Sequence, residues 1–199
     1  MNRKHMRTLV TIIVVLALLS GGAVTLISAL RRTVLDEPVT ILPGITVTPQ
    51  ELTEAGLGTA VSVQYAGKDF IFFPDQSTSD SSKEQADVKS GCAIDFRDGG
   101  EVTFLGGQFT QENSVTMRDA AYAWYRDKVT GTGLAEDKGS AIIGDASSRY
   151  DESGAAALLV RKNNTVFTLL YTAGTATTGS AARPIVALEA LARLLVSRL

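Results

Sequence analysis

Residues 9–30, LVTIIVVLALLSGGAVTLISAL, run for 22 residues without a charged side chain. As a helix at about 1.5 Å per residue such a run spans about 33 Å, enough to cross the hydrocarbon core of a bilayer. In lipid the backbone must satisfy its own hydrogen bonds, so Ser20, Gly21 and Gly22 do not interrupt the expected helix. Ala17 and Gly21 stand four apart, a weak form of the small-residue packing pattern in helices where small residues are common anyway. Arg3, Lys4 and Arg7 precede the run, and Arg31 and Arg32 follow it. With the free amino terminus this bias favours a cytoplasmic N-terminus and an extracytoplasmic remainder, a single-pass plasma-membrane protein. A cleavable secretory signal is the alternative, with small residues at Gly21 and Ala23 or at positions 27–29, and the chain would then be secreted. The apolar run continues well past the first of these points, which favours an uncleaved anchor. No cysteine follows it, so a lipoprotein cleavage box is absent.

The 199 residues leave room for one domain beyond the anchor, organised as a basic tail over 1–8, the helix over 9–30, a linker over 31–47 and a domain over 48–199. From Thr33 onward 14 Lys and Arg face 21 Asp and Glu, a net charge of −7. Nucleic-acid binding needs a basic stripe that displaces counterions, and none is present. The one histidine, His5, precedes the apolar run, and the one cysteine is Cys92. Ser-His-Asp and Cys-His catalysis, histidine acid/base chemistry, His/Cys zinc sites and an intramolecular disulfide are therefore excluded from the domain.

Residues 33–47 mix Pro, Gly and β-branched residues without a period, the pattern of an extended linker. Thr48-Pro49-Gln50-Glu51 supplies a capping hydroxyl, Pro at the first helical position and Glu three residues after the cap, so a short helix should run to about Ala55 and stop at Gly56. Strands are expected over 60–65 and 69–73, then a polar, Ser-rich surface loop or frayed helix over 76–89. Asp98-Gly99-Gly100 should turn a hairpin between strands 92–97 and 101–105, with Gly106-Gly107 ending the second. Ser114 should cap a helix to about Val129, with Met117, Ala120, Ala121, Trp124 and Tyr125 at helical spacing. A second hairpin, 156–161 with 165–171 around Lys162-Asn163-Asn164, is apolar enough for central strands with covered faces. Pro184 opens a last helix whose Ile185, Leu188, Leu191, Ala192 and Leu195 form an apolar stripe. The order predicts an α+β fold: one N-terminal transmembrane helix, then a mainly antiparallel sheet covered on one face by two or three helices.

Few constellations suggest chemistry. Gly56-Leu57-Gly58 and Gly131-Thr132-Gly133 lack the remainder of any phosphate-binding fingerprint and are expected to be turns. Asp95 and Glu101 could face each other across the first hairpin. A carboxylate pair can run glycoside hydrolysis, although like charges on an exposed strand face are the commoner arrangement. Cys92 is expected as a small buried hydrophobe, or else as a bridge between two chains. Tyr122, Trp124 and Tyr125 are more often core than a ligand groove at this spacing, and Asn163-Asn164-Thr165 fits a glycosylation sequon.

The capped start TPQELTEAGLG over 48–58, the strand Gly91-Cys92-Ala93-Ile94, the turn Gly144-Asp145-Ala146 and the final hairpin and helix together resemble a family of actinobacterial cell-envelope domains. These occur in small secreted lipoproteins and in the extracellular sensor portions of membrane kinases. The resemblance covers most of residues 45–199 and implies an α+β sheet covered by helices. It also implies a disulfide from a cysteine before the first helix to one like Cys92. Here that upstream cysteine and the lipid-attachment cysteine are both missing, and a transmembrane helix would replace the lipid anchor.

No catalytic, cofactor-binding or metal-binding residue is nominated. The expected function is a membrane-anchored extracytoplasmic binding or adaptor module, not an enzyme, meeting an envelope protein, peptide or glycan and open to forming homo-oligomers. The alternatives are a carboxylate-based enzyme acting on envelope glycans and a structural or oligomerising membrane component.

Overall fold

The computed structural model describes residues 35–74, 83–111, 114–131, 134, 136–137, 141–152, 154–174 and 184–199. The apolar run 9–30 lies outside these residues, and among those described no helix is long and apolar enough to cross a membrane. What they form is an α+β domain of nine strands and three helices, in which seven strands make one antiparallel sheet.

The domain begins earlier than residue 48. β1 (Val39–Leu42) and β2 (Ile45–Val47) pair antiparallel around Pro43-Gly44. Val39, Ile41 and Val47 are buried while Thr40 and Thr46 are exposed, so the supposed linker is a hairpin seated on the core. Its Pro-Gly step is turn chemistry, and the alternation of two short arms is too brief to stand out in sequence. Helix α1 (Pro49–Glu54) follows with the expected reciprocal cap: Glu51 N donates to Thr48 Oγ1 at 3.2 Å and Thr48 N to Glu51 Oε2 at 2.8 Å. Gly56 ends it in the left-handed region, at φ +90°.

The large sheet runs β3–β4–β5–β9–β8–β7–β6. β3 spans Ala60–Tyr65, as expected from sequence. β4 (Val88–Phe96) and β5 (Glu101–Gln108) form the first hairpin, with Gly99 at φ +88° and Gly100 N donating to Asp98 Oδ1 at 3.0 Å. β4 thus takes in Val88 and Lys89, the end of the segment expected to be a loop; residues 76–82 of that segment lie outside the described residues. Gly106 and Gly107 do not end β5. They continue it, and a Cβ on Gly107 would stand 2.4 Å from the Phe72 ring, so the glycine admits a neighbour and does not punctuate the chain.

No strand forms over 69–73. Phe70, Phe72 and Phe73 are buried in irregular backbone whose only ladder contact among the described residues is an isolated bridge from Pro74 to Glu84. The Glu84 carboxylate replaces the missing strand partner, accepting from Phe72 N at 2.6 Å and from Phe73 N at 3.0 Å. Side chains at 70, 72 and 73 enter one core together, which a strand's period of two would forbid.

α2 (Ser114–Gly131) precedes β6 (Glu136–Asp137) and β7 (Ala146–Glu152), the latter unforeseen because ASSRYDE has no apolar alternation. β8 (Ala155–Lys162) and β9 (Thr165–Thr172) turn at Asn163, φ +52°, and α3 (Pro184–Val196) closes the chain.

Helices cover both faces of the sheet, not one. On β8, Ala156, Leu158 and Val160 join one core with α1, β1, β2 and α3. Ala157 and Leu159 point the other way, toward Val129 and toward Ala121 and Tyr125 of α2. The alternation of a strand sends neighbours to opposite faces, so an arm apolar at every position needs both faces covered.

Candidate functional site

The period of two also sorts the polar residues. Ser62 on β3, Asp95 on β4, Glu101 on β5 and Thr172 on β9 are register partners in one row across the sheet, on the α2 side. Gln64, Ala93 and Thr103 lie in the next row. α2 packs on this face farther along, through Ala121 and Tyr125 over Leu105, Leu159 and Val166 and through Val129 beside Ala157 and Leu170. Beyond that cover the face is a polar shelf: Ser62, Asp95, Glu101, Thr103 and Thr172 are half-buried and Gln64 is exposed.

The sequence-based pairing of Asp95 with Glu101 is therefore met. Phe96 N donates to Gly100 O at 2.8 Å at the mouth of the turn, so the next pair, Asp95 and Glu101, is the type whose side chains approach most closely, with Cα atoms about 4.5 Å apart. Ser62 Oγ donates to Asp95 Oδ2 and Thr103 Oγ1 donates to Glu101 Oε1 at 3.0 Å. Burial pushes the Glu101 carboxyl above the usual range, against the Thr103 hydrogen bond, and the Asp95 charge pushes it the same way. Each carboxyl group thus has a hydroxyl partner of its own, and the two stand opposite each other on a half-buried strand face. Both carboxylates project from adjacent positions of one hairpin, whereas glycoside hydrolysis sets its pair on either side of the scissile bond.

A raised carboxyl pKa in the folded state means that folding favours the protonated form. The contribution of Glu101 to stability is then greatest below its unfolded pKa of about 4.3 and is lost as pH rises through the folded value. Glu101→Gln should stabilise the protein at neutral pH by about 0.2–1 kcal/mol, the range for a cross-strand pair, with no gain below pH of about 4. Urea midpoints of both proteins across this pH range check it. A loss of stability at neutral pH would mean that the Thr103 hydrogen bond outweighs the repulsion.

The other sequence candidates have structural roles. Tyr125 is buried and its hydroxyl donates to Phe72 O at 2.7 Å, while Trp124 meets Phe73 and Tyr125 edge-on at centroid distances of 6.0 and 4.9 Å. Tyr122, partly buried, bonds Ser148 through its hydroxyl at 3.1 Å. The Gly144-Asp145 turn docks on the β8–β9 turn. Asp145 accepts from Asn163 N at 2.8 Å and Lys162 Nζ at 3.1 Å, and the first of these chiefly holds its carboxyl below the usual range. At the sequon Asn163 is exposed and Thr165 is fully buried. Gly56 and Gly58 are left-handed turn residues, and Gly131 ends α2. Among the described residues no three His, Cys, Asp or Glu side chains group to hold a metal.

Cys92 lies on the opposite face, 3% exposed, and burial pushes its thiol up to about 12. A bridge to a second chain at this position would require opening the core. The folded protein should leave this thiol unmodified by a maleimide at neutral pH and expose it on unfolding in urea. Labelling at the same rate in both states would overturn that assignment. Comparison with protein-family models, with curated proteins and with solved structures yields no match for this chain.

Proposed function

We propose that this protein is a membrane-anchored extracytoplasmic binding module whose acidic shelf receives a partner carrying basic or hydrogen-bond-donating groups. The observation that carries the reading is the shortness of the tether. Leu35 N already donates to Ala60 O at 3.1 Å, so the domain is joined to the sheet five residues after the apolar run ends at Leu30. A domain fixed so close to a bilayer-length apolar run is suited to meet something at a membrane surface. Binding is favoured over catalysis by the shelf itself, where paired carboxylates held by hydroxyls would be relieved by a cationic partner. The resemblance to envelope sensor and lipoprotein domains is consistent with the same role.

Protease shaving of spheroplasts, with tags at both ends, tests the topology. Loss of the C-terminal tag with a retained N-terminal membrane fragment is expected, and full protection would place the domain in the cytoplasm and end the proposal. A photocrosslinker at Gln64 then tests binding. Adducts lost in the Asp95→Asn, Glu101→Gln protein support the shelf, and no adduct above an anchor-only control overturns it. Envelope-glycan cleavage abolished by the same double substitution would favour the enzymatic alternative.

A further inference from the structure

The geometry points to a fixed orientation of the domain on the bilayer: the end bearing the β4–β5 and β7–β8 turns faces the lipid headgroups, and the end bearing the β8–β9 turn faces away. This rests on the anchored reading of residues 9–30. The chain enters the domain at one end of the sheet, because Leu35 bonds Ala60, Ala60 pairs with Phe96, and Arg97 N donates to Thr59 O at 2.9 Å beside the β4–β5 turn. The β7–β8 turn lies at the same end, since Glu152 pairs with Ala155, Ala155 with Thr172, and Thr172 with Glu101. At the opposite end Phe109 N donates to Asn164 O at 2.9 Å beside the β8–β9 turn, and Asn163 Nδ2 donates to Leu199 O at 3.3 Å.

Two lengths rule out the inverted orientation. From Leu30 to Leu35 there are five Cα steps, which reach at most about 18 Å when fully extended. The eight residues of β5 separate the two ends by about 24 Å at about 3.4 Å per residue. An inverted domain, with the β8–β9 turn on the headgroups, would lift Leu35 beyond the reach of its tether. The facing end is also acidic. Among the described residues Asp36, Glu37, Asp98, Asp151 and Glu152 are exposed there and Arg97 is the basic one, so the tether and not attraction of this end to anionic lipid holds it down. The acidic shelf belongs to this end, and its partner is one presented close to the membrane surface.

The test is energy transfer from a single fluorophore on the full chain, in vesicles whose headgroups carry acceptors. Glu152→Cys reports the facing end and Gln111→Cys the outer end; both positions are exposed, and buried Cys92 stays unlabelled. Asp151→Cys and Thr110→Cys repeat the comparison should either first variant fail to fold. Stronger transfer from 152 than from 111 is expected. Equal or stronger transfer from 111, in protein that floats with the vesicles, overturns the orientation and leaves the anchor standing. Protein that does not float with the vesicles overturns both.

Discussion

Arg149→Ala should cost about 3 kcal/mol, the lower part of the range for breaking a buried ion pair. Arg149 is 3% exposed in the middle of β7, on the α3 side of the sheet. Its Nη2 donates to Ala141 O, and its Nε faces the Glu189 carboxylate of α3 in an ion pair without hydrogen-bond geometry. Removing the guanidinium leaves Glu189 against an apolar core without its counter-charge. The Glu189 side chain keeps 22% exposure, which lets water take up part of the loss and sets the cost at the low end. Urea denaturation of the full chain in detergent measures it. Replacing both partners by methionine should recover most of the deficit, because a well-packed apolar pair avoids the desolvation of two charges. A single-substitution cost below about 1 kcal/mol, the value of an exposed pair, would show that α3 does not depend on this contact.

Gly107→Ala should cost about 3 kcal/mol, at the upper end of overpacking, although Gly to Ala within a strand ordinarily stabilises. The new Cβ would lie 2.4 and 2.6 Å from two Phe72 ring atoms and 3.0 Å from Ala86 Cβ. The ring has nowhere to go. Phe72 N is held by Glu84, Phe72 O by the Tyr125 hydroxyl, and the ring stacks on Tyr125 at a centroid distance of 4.9 Å. Phe72→Leu in the Gly107→Ala background should restore part of the stability by thinning the obstructing group. Gly131→Ala, whose new methyl meets no neighbouring element within 4 Å, serves as the control and should cost no stability. A Gly107→Ala protein as stable as its parent would mean that segment 70–74 yields more readily than its hydrogen bonds imply.

The paired carboxylates illustrate how far a candidate site is legible in sequence. Asp-Gly-Gly dictates the turn, and the turn dictates which residues stand opposite, so the pairing of Asp95 with Glu101 follows from the turn residues alone. The places of Ser62 and Thr172 do not. They join the row through β3 and β9, whose placement beside β4 and β5 is a tertiary choice that strand patterns do not encode. The openness of the shelf depends on where α2 stops covering the sheet, which its own apolar spacing does not reveal.

Features that depend on neighbours along the chain are written in the residues themselves. The Thr48–Glu51 cap, the Asp98-Gly99 and Asn163 turns, the strand β3, the β8–β9 hairpin and the stripe of α3 all follow from steric preference, local hydrogen bonding or the periods of helix and strand. Contacts across the fold settle the rest, and the reason is burial. Residues 39–47 are a hairpin and not a linker because an otherwise uncovered part of the sheet lies beneath Val39, Ile41 and Val47. Residues 70–73 are coil and not strand because Glu84, more than ten residues away, satisfies the backbone N–H groups of Phe72 and Phe73. β7 exists because β8 needs a partner and because Glu189 receives Arg149, a compensation that no window of sequence around ASSRYDE contains. Whether a residue is turn, strand or core is set in these places by a group brought alongside from elsewhere in the chain, since an unsatisfied backbone or charge is tolerated only where something distant completes it.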